Sequence, residues 1–213
     1  LPPSLSRRRY GLESSAEAEE FGYKQPPGAS AEAPQATVSS QSDLPEFNAE
    51  LYGSEEKTLT TQVKTADGVL VVRVPDGCAG EGYASVYGSR EAYLDAVAAL
   101  TRARQIDTES YNFLLASAQY ESIRAAWEAC MVDAGESRFG DPTEPLGFDW
   151  TSPEEERSVA LKDVTCKEKV EFVSKAAGVE LAWQTENFDR FRGDAEVAEQ
   201  WAKQIEEKAQ STI

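Results

Sequence analysis

This sequence contains no histidine. That removes the commonest general base and the commonest metal ligand together. It excludes a Ser-His-Asp or Cys-His nucleophile. Cysteine is scarce as well: Cys78, Cys130 and Cys166 are the only three. No pair has Cys-x-x-Cys spacing, so neither a zinc site nor thioredoxin chemistry is indicated. No run of ~18 or more apolar residues offers a membrane-spanning helix. The chain opens on Leu-Pro-Pro, with no methionine and no apolar signal core. That start reads as a removed signal segment or as an ordered part of a longer chain. Basic residues are few: 21 Lys and Arg face 38 Asp and Glu, a net charge of −17. Such a chain repels phosphate backbones and anionic lipid, so nucleic acid and direct membrane insertion are not expected.

Phosphate-loop glycine patterns are missing too. Residues 76–82, Asp-Gly-Cys-Ala-Gly-Glu-Gly, match neither nucleotide motif and carry two acids where an anion would sit. They read as a turn into a helix, with Cys78 in its first turn. No cofactor is expected, and no D-x-[DN]-x-[DN]-G loop marks calcium.

What is present is mostly helical. The 213 residues, 40% hydrophobic, suffice for one domain with a sizeable core or two small ones. In residues 120–135, Tyr120, Ile123, Trp127, Cys130, Met131 and Ala134 share one helix face, and Gly135 ends it. Trp127 is the largest side chain there and is expected to be the packing anchor. Ser152-Pro153-Glu154-Glu155 starts a second helix, with serine as cap and proline at the first position. From it one stripe recurs at Val159, Asp163, Cys166, Val170, Val173, Ala177, Leu181, Gln184, Phe188, Phe191, Ala195, Ala198 and Ala202. Only Asp163 and Gln184 on it are polar. A break or kink is expected at Gly178, after Lys175, followed by a long C-terminal helix. Trp201 lies off the stripe.

Cys130 and Cys166 each occupy the buried face of their own helix, and a Gly- and Pro-containing loop over 136–151 joins the two. The expected arrangement is an antiparallel hairpin stapled by a Cys130–Cys166 disulfide, which implies an oxidising compartment. The alternative is two reduced thiols in a cytosolic core. Phe148 and Trp150 are expected under the core. Asp163, a carboxylate on an apolar stripe, needs a partner such as Arg124 or a helix N-terminus.

Residues 1–45 read as an extended, largely irregular arm pinned by Tyr10, Phe21 and Tyr23, with one or two helical turns over Ser14 to Phe21 and Ser15 as their cap. A short helix is expected over 45–53. A β-hairpin follows at 58–74, with Leu59, Thr61 and Val63 on one side. Ser89 caps a helix buried through Tyr93, Ala96, Val97 and Leu100. The next begins at Asp107 or Thr108, with Tyr111, Leu114 and Leu115 inward. The expected fold is mainly α: a helical bundle or hairpin with a long C-terminal helix and one small β-hairpin. Its domains are the 1–45 arm and a disulfide-stapled domain over 46–213.

Three groups of residues carry a resemblance. They are Trp127-x-x-Cys130-Met131 with Gly135; Glu154/Glu155, Val159-Ala160, Asp163-Val164 and Cys166; and Asp76-Gly77-Cys78-Ala79-Gly80-Glu81 with Val86-Tyr87-Gly88. Together with Arg9-Tyr10-Gly11-Leu12, Ala18 and Phe21-Gly22-Tyr23, they resemble a pattern in uncharacterised secreted proteins and lipoproteins of actinobacteria. The resemblance implies export and a cell-envelope setting, and implies no activity. It also implies that Cys78 pairs with a cysteine of an upstream Cys-Met segment that this chain lacks, leaving Cys78 unpaired here.

The function expected from these readings is a non-enzymatic secreted or envelope binding module, with a protein partner or itself as ligand. The alternatives are a structural subunit of an extracellular assembly and a hydrolase using two carboxylates.

Overall fold

The computed structural model describes residues 8–24, 45–66 and 68–211. Within it the chain forms two compact units, one built from 8–24 and 112–182, the other from 45–111 and 183–211. The expectation placed one domain over 46–213; the structure groups 112–182 with the N-terminal segment instead. The remainder of the expected arm, over 1–7 and 25–44, lies outside the described residues.

In the first unit, α1 (Ser15–Phe21) is capped by Ser14, whose hydroxyl accepts from the Glu17 amide, so the cap is one residue earlier than expected. It packs on α7 (Pro153–Val170), which in turn packs on α6 (Ala118–Asp133). Ser117 and Ser152 cap these two helices through their hydroxyls. Tyr120, Ile123, Trp127 and Met131 are buried as the spacing predicts; Cys130 is half-buried and Ala134 exposed. Between α6 and α7 a 3-10 turn at Glu144–Gly147 keeps the connection short-ranged.

α7 ends at Glu171, which adopts a left-handed conformation (φ 57°). α8 (Phe172–Asn187) follows directly, and the expected break at Gly178 does not occur: Gly178 lies inside α8 and is exposed. The chain breaks instead at Glu171 and at the 3-10 turn Phe188–Arg190, before α9 (Arg192–Ser211). A constant 3–4 spacing survived both corners, because a turn that keeps phase is invisible to periodicity. Leu181, on the expected stripe, is accordingly exposed, and Phe172, off it, is fully buried.

In the second unit, α2 (Pro45–Tyr52) precedes β1 (Leu59–Thr65) and β2 (Gly68–Val74). The strands pair antiparallel, with Leu59 opposite Val74 and Val63 opposite Leu70. Leu59, Thr61 and Val63 face inward as expected. Val63 and Val72 pack on Ala98, Leu94 and Val97 of α4 (Arg90–Ala103), so α4 supplies the layer that a lone hairpin needs. α3 (Cys78–Tyr87) and α9 cover other sides of α4. Gly77, at the N-cap of α3, touches the Glu50 and Leu51 carbonyls so closely that a Cβ would collide with both. Trp201 of α9 packs on Tyr87, and Lys208 donates to the Ser85 and Val86 carbonyls at the end of α3. α5 (Gln105–Leu115) begins earlier than expected; Leu114 is buried, but Leu115 is exposed.

Candidate functional site

Cys130 and Cys166 form a disulfide between α6 and α7, with Cα atoms 5.6 Å apart. One turn before each cysteine stand Trp127 and Asp163, both fully buried. The Trp127 Nε1–H donates to Asp163 Oδ1 at 2.9 Å. Lys167 Nζ donates to Asp163 Oδ2 at 3.0 Å, and the Tyr23 hydroxyl donates to the same oxygen at 3.2 Å. Asp163 thus meets three donors, none of them the expected Arg124. Arg124 instead binds Glu121 and Glu128 on its own helix and the Gly140 carbonyl.

Burial pushes the Asp163 carboxyl up and the Lys167 ammonium down, each opposed by the attraction of the other. Lys167 also donates to the Leu12 carbonyl at 2.9 Å. Gly11 beside it has φ 82° and lies against the Pro142 carbonyl and Lys167, where no Cβ would be accommodated.

Two other buried carboxylates, Glu156 and Glu180, do the same work at different points of the N-terminal segment. Glu156 accepts from the Tyr23 amide at 3.0 Å. Glu180 receives Arg9 through two guanidinium nitrogens, and the Tyr10 hydroxyl as well. Burial and the Glu180 carboxylate hold the Tyr10 hydroxyl well above its ordinary range. Arg8 closes the strap by donating to the Tyr23 and Lys24 carbonyls. Tyr10 and Tyr23 therefore pin the segment as expected. Fully buried Leu12 is an anchor that hydropathy alone does not single out from other leucines. The signal for Lys167 was present: it stands four residues after Asp163 on one helix face.

A second cluster gathers Phe139, Phe148 and Trp150, with Tyr23 stacked on Trp150 at 5.4 Å between ring centres. The Arg138 guanidinium lies 5.2–5.5 Å from the three ring centres. It also binds buried Glu136 through two nitrogens and reaches Glu155. Phe139 is buried, but Phe148 is exposed, so only part of this loop lies under the core. The Glu136 carboxyl is held below the ordinary glutamate range, chiefly by its hydrogen bonds from Arg138.

The second unit presents different chemistry. Cys78 is exposed and outside any disulfide of this chain. Nearby, Tyr52, Gly53, Glu55, Thr58, Arg73, Pro75 and Tyr83 line an open cleft of about 300 Å³. Val69, Leu70 and Val71 of β2 are exposed by 58%, 48% and 45%. Val69 and Val71 face away from α4 and Leu70 toward it, so apolar surface is open on both faces of one strand segment.

Among the described residues no group of acids and cysteines is placed to hold a metal, and no helix is long and apolar enough to cross a membrane. Comparison with known proteins finds no matching family model, curated protein or solved structure.

Proposed function

We propose that this chain is a non-enzymatic interaction module of the extracellular space or cell envelope, docking a protein through the hairpin of its second unit. The observation that carries this reading is the consecutive exposure of Val69, Leu70 and Val71. Three adjacent apolar residues open to solvent are costly unless a partner covers them. The disulfide of the first unit supports an oxidising setting. The resemblance of the Trp127–Cys130–Met131 and Asp163–Cys166 segments to secreted actinobacterial proteins points the same way. The carboxylates buried in the first unit, Glu136, Glu156, Asp163 and Glu180, each hold a named donor of the same chain, which supports a scaffolding use of its acids.

The test is a photo-crosslinking residue placed at position 69, and separately at exposed position 204 on α9, in cells that make the protein. Adducts from position 69 in the envelope or medium fraction, with none from 204, are expected. No adduct from 69, or equal yields from both positions, would overturn the reading.

A further inference from the structure

The exposed segment on β2 is an unfinished edge rather than an unfinished face. Val69 and Val71 open on one side of the sheet and Leu70 on the other. A protein laid on one face would leave the opposite side chain in water. A strand added beside β2 places side chains over both faces and takes up the outward N–H and C=O groups of the edge. Among the described residues, no backbone hydrogen bond from 69–73 goes anywhere but to β1. β1 is the poorer edge, since its outer face carries Thr60, Gln62 and Lys64. Edges that natural proteins guard carry such groups, and β2 has no proline or inward charge over 68–74.

We infer that β2 pairs antiparallel with β2 of a second copy of this chain, joining two hairpins into one four-stranded sheet. The inference rests on the reading of the hairpin as the docking element. Two observations select a second copy. First, the strand is self-complementary. Full overlap of Gly68–Val74 with itself puts Val71 opposite Val71, Leu70 opposite Val72 and Val69 opposite Arg73. Apolar β-branched side chains then meet at the centre, and the single cation of each strand faces a valine rather than its own like. Second, the charge there is different. Residues 59–74 carry Lys64 and Arg73 against Asp67, in a chain of net charge −17. Two such chains approach with least repulsion where acids are fewest: Asp67 falls between the two strands in sequence, and Glu55 is paired with Arg73 at 3.9 Å. The interface is smaller than the standard of about 1,600 Å², so association is reversible and depends on concentration.

The experiment is analytical ultracentrifugation of the full chain from about 1 μM to about 1 mM, on a Cys78→Ser background that prevents dimers through the free thiol. A monomer–dimer equilibrium is expected. Val71→Lys, which sets two ammonium groups opposite each other, should shift it toward monomer by at least tenfold in the dissociation constant. Gln204→Lys makes the same change in net charge and should leave it in place. Circular dichroism checks that both variants keep the fold. On the same background, copper-phenanthroline oxidation should link Val71→Cys chains into a covalent dimer and leave Val69→Cys chains largely unlinked. Monomer at every concentration, or equal response to the two lysines, overturns the pairing. Equal linking of the two cysteines overturns its register. If only monomer is found, the broader reading of the hairpin still stands or falls on the crosslinks from position 69.

Discussion

The Trp127 Nε1–H meets Asp163 Oδ1 at 2.9 Å, one helical turn before the disulfide on both helices. The hydrogen bond and the disulfide both tie α6 to α7. The first orients the rods and the second fixes their spacing. Asp163 is also where the N-terminal segment is tied down, through Tyr23 directly and through Lys167 to Leu12.

Removing one partner of the buried pair strands the other. Asp163→Leu leaves the Lys167 ammonium without its anion, and Lys167→Met leaves the carboxylate without its cation. Each single change is expected to destabilise by about 3–5 kcal/mol. The double variant should cost clearly less than their sum, because no charge is left behind. Urea unfolding of the four proteins measures the coupling; strict additivity would show that the two groups do not act as a pair.

The disulfide closes a loop across a sequence separation of 36. In the chain-entropy account its loss costs about 3–4 kcal/mol. Cys130→Ser with Cys166→Ser should lower the unfolding free energy by that amount. Reductant should lower the midpoint of the native protein and leave the double variant unmoved. Alkylation of the unreduced, unfolded chain should label Cys78 alone.

Glu136 gives a pH dependence of defined sign. Its folded carboxyl is depressed by Arg138, so the unfolded state takes up the proton first as the medium acidifies. The stability it contributes is whole above the ordinary glutamate range and is lost as pH falls through the folded value. Glu136→Gln should cost about 1–2 kcal/mol at neutral pH. The gap between variant and parent melting temperatures should close on acidification. A gap constant from pH 7 to pH 3 would contradict the assignment.

Glu171 holds φ 57° at the corner between α7 and α8. A side chain is disfavoured there by roughly 1–2 kcal/mol, and the exposed Lys175–Glu171 ion pair returns little of it. Glu171→Gly is expected to stabilise by about 0.5–1 kcal/mol after the extra freedom of the unfolded glycine. Thermal unfolding would detect this as a rise in melting temperature, and Glu171→Val should lower it.

Much of the framework was legible residue by residue. Ser89 and Ser152 cap their helices because a hydroxyl one position ahead of a helix has only its orphan amides to bind; the Ser117 cap that separates α5 from α6 came only with the structure. The hairpin followed from alternation about a short turn. Cys130 and Cys166 were a pair because both fell on inward faces of neighbouring helices. The corner at Glu171 was hidden because glutamate is an ordinary helix residue and carries no local mark of the left-handed backbone it adopts there. Gly178 misled for the converse reason: an exposed glycine inside a helix costs ~1 kcal/mol, which packing elsewhere offsets.

The sequence by itself determined the hairpin, the caps at Ser89 and Ser152, the buried face of α6 and which cysteines can meet, since these depend on spacing along a few turns of chain. Only the tertiary structure decided which acids lie buried and which donors they hold. Asp163 meets Tyr23 and Glu180 meets Arg9 across 140 and 171 positions. Contacts at that separation are set by how layers pack, which no local period encodes.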